Sequence, residues 1–107
     1  MKIEIIKCLK DNFSYLLINE KNSDACVVDP GEAKPVLKYI EENKINLKYI
    51  LNTHHHGDHI GGNNTLKNKF SAKILASEND RERIPEIDIF LSDGQIWKDD
   101  ILSLIHI

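Results

Sequence analysis

The hydrophobic period of this chain first changes at Pro35, and that change limits the fold more than any other feature. Before it lie three short apolar runs, "KIEIIK" (2–7), "SYLLIN" (14–19) and "DACVVDPG" (24–31), the last closed by Asp29-Pro30-Gly31. Separated by turn formers, they read as a meander of strands. After it, Val36, Tyr39 and Ile40 fall at i, i+3 and i+4, while Lys34, Lys38, Glu41 and Glu42 take the other side. That pattern predicts an amphipathic helix, with Pro35 in its first turn where the missing N–H costs little, ending near Asn43-Lys44. "LKYIL" (47–51) then reads as a strand, Leu66 and Phe70 mark a second helix opening near Gly62-Asn63, and "AKILA" (72–76) is another strand. "SENDRERIPEID" (77–88) reads as a polar connection, and "IFLSDGQIW" (89–97) and "DILSLIHI" (100–107) as a closing pair of strands. The order β-β-β-α-β-α-β-β-β predicts a mixed α/β sheet with helices packed on it.

The 107 residues make one small domain or part of a larger one, and 41% apolar with 29% charged residues describe a soluble globular chain. No apolar run approaches the ~20 residues of a membrane span, and the charges scattered through "MKIEIIKCLK" are unlike a signal peptide. A net charge of −3 with dispersed lysines gives no nucleic-acid footprint. Cys8 and Cys26, inside apparent strands and without CxxC spacing, read as buried free thiols. Together these features predict a cytoplasmic protein.

Four of the five histidines fall in "LNTHHHGDHIGGN" (51–63). On a helix, residues two apart point to nearly opposite sides, so His54 and His56 could not share an ion there. In an extended segment they lie on one side and His55 faces away. Gly57 then lets the chain turn tightly, carrying Asp58 and His59 in a second direction. Two imidazoles plus a carboxylate–imidazole pair suit two neighbouring ions, with zinc, iron or manganese as the metals. The cluster follows a strand and precedes a helix, which predicts a site at the carboxyl end of the sheet. Gly61-Gly62 permits close approach of the backbone or of the following helix. A polar loop with idle histidines is the plain alternative, but it does not account for the Asp, the glycines and the preceding strand in this order. His55 is expected to be a bystander, and His106 a packed or edge histidine.

"THHHGDHIGGN" resembles the THxHxDHxGG signature of the metallo-β-lactamase superfamily. With "DNFSYLLI" (11–18), "VVDPGEAKPVL" (27–37), "RIPEID" (83–88) and "LSDGQIW" (91–97), the chain resembles the glyoxalase II, or hydroxyacylglutathione hydrolase, family from end to end. The resemblance implies an αββα sandwich and a two-metal hydrolase of glutathione thioesters such as S-lactoylglutathione. It implies that His54 and His56 bind one divalent ion and Asp58 and His59 the other, zinc foremost, with Asp29 supporting the site from behind the ligands. Asp29 before Pro-Gly is also an ordinary turn residue. Asp58 is the catalytic candidate, as a ligand rather than as an acid or base. The implied partner is a small-molecule glutathione thioester, with no nucleic acid or membrane, and the intact parent is expected to be a monomer. The rival readings are a mono-iron persulfide dioxygenase of the same fold and a non-catalytic metal-binding fragment.

"ILSLIHI" (101–107) is an apolar strand with no turn or polar tail after it, and a bare apolar strand makes an unsuitable terminus. The family continues from this strand into a Thr-Pro-Gly-His-Thr segment whose His completes the first metal site, and Ile107 stands where the first Thr would be. A bridging Asp, a further His and most glutathione contacts come later still. Residues 1–107 are therefore expected to be the N-terminal part of a metallo-β-lactamase-fold catalytic domain, truncated before the third metal-binding His. Such a piece should bind metal weakly, turn over little substrate, and leave the inner face of its sheet without the second sheet.

Overall fold

The expected meander is formed by β1 (Lys2–Cys8), β2 (Asn12–Ile18) and β3 (Asp24–Val28), each antiparallel to the next. The computed structural model describes residues 2–8, 12–52, 62–77, 82, 84, 87–91, 96–97 and 105–106. The β2–β3 turn is closed by the Asn19 N–H donating to Asp24 O and the Ser23 N–H to Asn19 O, both at 2.8 Å. The side-chain oxygens of Asn19 and Asn22 accept further backbone N–H bonds from Lys21 and Asp24, so the polar residues make the turn that interrupts the apolar pattern.

Beyond the turn the strands become parallel. Helix α1 (Ala33–Asn43) crosses from β3 to β4 (Asn46–Asn52), and α2 (Asn63–Phe70) from β4 to β5 (Lys73–Ser77). Pro35 lies in the first turn of α1, and Lys44, left-handed at φ 54°, ends it by donating its N–H to Ile40 O. Strand β4 departs from regularity once. Ala25 pairs with Leu47 but Cys26 with Tyr49, leaving Lys48 as an extra residue. This bulge sends the exposed Lys48 outward and preserves the inward alternation on both sides of it.

The expected strand at 89–97 is two strands. Ile89–Leu91 (β6) adds parallel to β5 and completes a six-stranded sheet ordered β1-β2-β3-β4-β5-β6. Ile96–Trp97 (β7) instead pairs antiparallel with Ile105–His106 (β8) in a separate two-stranded sheet. The sequence between them contains Asp93-Gly94, a pair of turn formers inside what otherwise reads as one apolar run. A parallel pair needs a crossover, and the polar connection before β6 supplies it. That crossover buries Ile84 beside the helices and packs Ile87 against the same core.

Both helices cover one face of the sheet. Val36 and Ile40 of α1 and Leu66 of α2 pack with Leu16, Val27, Ile50 and Ile74 in one buried cluster. The other face has a smaller centre, Cys26, Leu51 and Leu75, flanked by Val28, Tyr49 and Ile89. At the β1–β2 end that face is open, with Ile3 61% and Ile5 62% exposed. The expectation of an uncovered inner face therefore holds for β1 and β2 and not for the middle of the sheet. Among the described residues no helix is long and apolar enough to cross a membrane.

Candidate metal centre

Since β3, β4, β5 and β6 run parallel, their carboxyl ends share one edge of the sheet. The segment carrying the histidines leaves that edge after Asn52, the last residue of β4, and returns at Gly62, just ahead of α2. His54, His55, His56, Asp58 and His59 lie outside the described residues, which include Asn52 and Gly62 on either side of them.

Three ties fix those ends. The Asp29 N–H donates to Leu51 O at 2.9 Å, holding the turn after β3 against the end of β4. The Gly62 N–H donates to Pro30 O at 2.6 Å, holding the exit of the segment against the same turn. The side chains of Asn52 and Asn63 bond to each other reciprocally, Asn63 Nδ2 to Asn52 Oδ1 at 2.6 Å and Asn52 Nδ2 to Asn63 Oδ1 at 3.3 Å. Gly62 is required here for space. A Cβ would stand 2.8 Å from Pro30 O and 2.9 Å from Ala33 N, so the close approach expected of the glycine pair is met at Gly62 by backbone of the neighbouring turn.

Asp29 sits between these ties. It is 7% exposed and left-handed at φ 51°, a conformation Asp tolerates better than most residues. Its carbonyl accepts from Gly31 N–H at 2.9 Å and from the buried Ser14 hydroxyl at 2.7 Å. The turn reading of "VDPG" is thus correct as local structure, and the turn lies against the end of the strand that carries the donor segment. Ser14, Asn52 and Asn63 do not stand out in the sequence as parts of the site. Their signal was only a small polar residue inside or beside an apolar run, which is as often a surface position.

Imidazole nitrogens and carboxylate oxygen are donor chemistry for zinc and its neighbouring divalent ions, so the residue types at 54, 56, 58 and 59 fit such an ion. Among the described residues no three of His, Cys, Asp and Glu stand together as a metal-holding group. Cys26 is free and fully buried, and that burial pushes its thiol up to about 12, which makes it inert at neutral pH. The side chain of Cys8 lies outside the described residues, as does that of His106, whose backbone belongs to β8.

Residues 11–97 match the metallo-beta-lactamase superfamily. The chain belongs to that superfamily. Its fold agrees: the BLEG-1 B3 metallo-beta-lactamase superposes on 92% of this chain and 57% of its own with a TM-score of 0.82, at 20% identity. Among curated relatives, the hydroxyacylglutathione hydrolase of Pelagibacter ubique (strain HTCC1062) is 55% identical over 100 residues, covering 94% of this chain. The protein of the same name from Nostoc punctiforme is 46% identical over 95 residues. The chain spans 42% of the first relative's length and 37% of the second's. A metallo-beta-lactamase fold of α/β class, in its N-terminal portion, is therefore what the strands and helices described above build.

Proposed function

We propose that residues 1–107 are the N-terminal part of the catalytic domain of a metal-dependent hydroxyacylglutathione hydrolase. Such an enzyme cleaves S-2-hydroxyacylglutathione, such as S-lactoylglutathione, to glutathione and a 2-hydroxy acid. One observation carries this reading: 55% identity across 94% of the chain to a hydrolase of that name. The pinned ends of the 53–61 segment at the carboxyl edge support it. The same relative favours the hydrolase over a mono-iron dioxygenase.

In this reading His54 and His56 hold one divalent ion and Asp58 and His59 a second. Zinc is the leading candidate, with iron and manganese as alternatives. When bound, such ions supply Lewis acidity that brings a water's pKa toward ~7 and stabilises a developing oxyanion. Asp29, fixed by the ties at Leu51 and Ser14, orients the imidazoles from behind. The leaving group is a thiolate, so no strong general acid is required and Asp58 serves as a ligand. The partner is a free glutathione thioester in the cytoplasm, bound by a monomer, with no nucleic acid or membrane.

The test is elemental analysis of zinc-loaded protein with wild-type sequence, His56→Ala and His55→Ala, alongside thioesterase and oxygen-uptake assays. His56→Ala should lose far more metal than His55→Ala, and equal losses would sink the ligand assignment. A version extended along the coding sequence beyond Ile107 should hydrolyse S-lactoylglutathione far faster than the 107 residues alone. Oxygen uptake in place of hydrolysis would favour the dioxygenase.

A further inference from the structure

We propose that the Asn52–Asn63 side-chain pair is a positioning device for the metal-donor segment, setting the direction in which both ligand pairs leave the scaffold. The inference rests on the metal-centre reading above and goes beyond it by naming residues that touch no ion. Asn52 is 3% and Asn63 4% exposed, and an amide is buried at this depth only when its hydrogen bonds are made. Here each amide donates to the other's oxygen. The two residues bracket residues 53–62, so the pair ties the segment's entrance directly to its exit. The backbone ties at Leu51 and Gly62 instead run to the Asp29–Pro30 turn. Asn63 opens α2, yet its side chain reaches back to Asn52 at the end of β4. A closed segment has less conformational freedom to lose when four donors converge, so the pair should raise metal affinity by preorganisation.

The experiment compares the wild-type chain with Asn52→Leu, Asn63→Leu and the double variant, each titrated with cobalt(II) into the millimolar range and followed by its visible bands. Leu matches the shape of Asn. A single substitution takes the reciprocal bonds away from the opposite amide and should lower both stability and cobalt affinity. The double variant replaces both partners by apolar groups and should recover much of the stability. Its cobalt affinity should stay about 10–100-fold below wild type, the range for lost support behind metal ligands, with altered bands. Recovery of affinity together with stability would overturn the inference and leave the metal centre standing. Absence of any cobalt band both in the wild-type 107 residues and in a version extended along the coding sequence would overturn the metal centre itself, and the inference with it. Should no variant fold, proton exchange of the Asn52 and Asn63 side-chain amides in the wild type gives the answer. Linkage is reciprocal, so zinc must slow that exchange, and unchanged rates would overturn the proposal.

Discussion

The two faces of the six-stranded sheet come from the same residues in alternation, yet they have different fates. Under α1 and α2, Leu16, Val27, Ile50 and Ile74 lose all contact with solvent. On the opposite face burial is confined to the middle strands, around Cys26, Leu51 and Leu75, while Ile3, Ile5, Phe13 and Tyr15 remain exposed at the antiparallel end. In β3, β4 and β5 both faces are apolar, the pattern of strands buried on two sides. The outer hairpin carries an equally apolar pattern without equal burial. Composition alone therefore does not decide where stability resides; cover does.

The helix-covered face should give the largest response. Ile74→Ala removes a fully buried side chain from its centre and should cost about 2–5 kcal/mol in urea unfolding. A cost below about 1 kcal/mol would break the contrast between the faces. Next comes the junction of helix and strand ends. Gly62 has φ −91°, which any residue adopts, so Gly62→Ala tests space alone. Its Cβ meets backbone rather than a movable side chain, and overpacking of this kind should cost about 1–3 kcal/mol.

Asp88 tests the link between α2, β5 and β6. Burial by itself would raise its carboxyl, but the hydrogen bonds from Lys67 and Ile74 N–H and the charges of Lys67 and Lys73 together hold it below the ordinary value. A lowered folded pKa contributes stability above the unfolded value of ~3.9, and that stability is lost as pH falls through the folded one. Asp88→Asn should therefore flatten the acid limb of the stability curve. At neutral pH it should cost under about 1 kcal/mol, because the pair is partly screened by solvent. An unchanged acid limb would remove Asp88 from the account. The smallest effect belongs to the open face: Ile5→Thr should leave stability within about 0.5 kcal/mol. It should also reduce self-association in sedimentation velocity, since exposed apolar patches promote it. A loss of several kcal/mol would mean that the hairpin's open face is covered after all.

Much of this fold was legible because period and punctuation agree. The Pro35 change of period located α1 within two residues, and Asn43-Lys44 marked its end. Short strands were harder. The run at 89–97 reads as one strand because its apolar residues continue across Ser92-Asp93-Gly94, and only pairing reveals that its halves join different sheets. The buried Ile84 was hidden by its charged neighbours in sequence. At the candidate site, donor types are visible in sequence because metal chemistry narrows them to His and Asp. The Asn52–Asn63 pair was not, since an amide looks the same in sequence whether it meets water or a partner eleven residues away.

The strand order carries a consequence for synthesis. Spatial order in the large sheet equals chain order from β1 to β6, so every strand joins the neighbour made just before it. No strand has to be inserted between two that are already paired, and each new one meets the free edge left by its predecessor. A chain emerging from the ribosome can thus extend this sheet one strand at a time, with β1–β2–β3 already a hairpin array while the parallel half is still being made. The local pairing at the start closes short loops, whereas each later parallel addition must wait for its crossover.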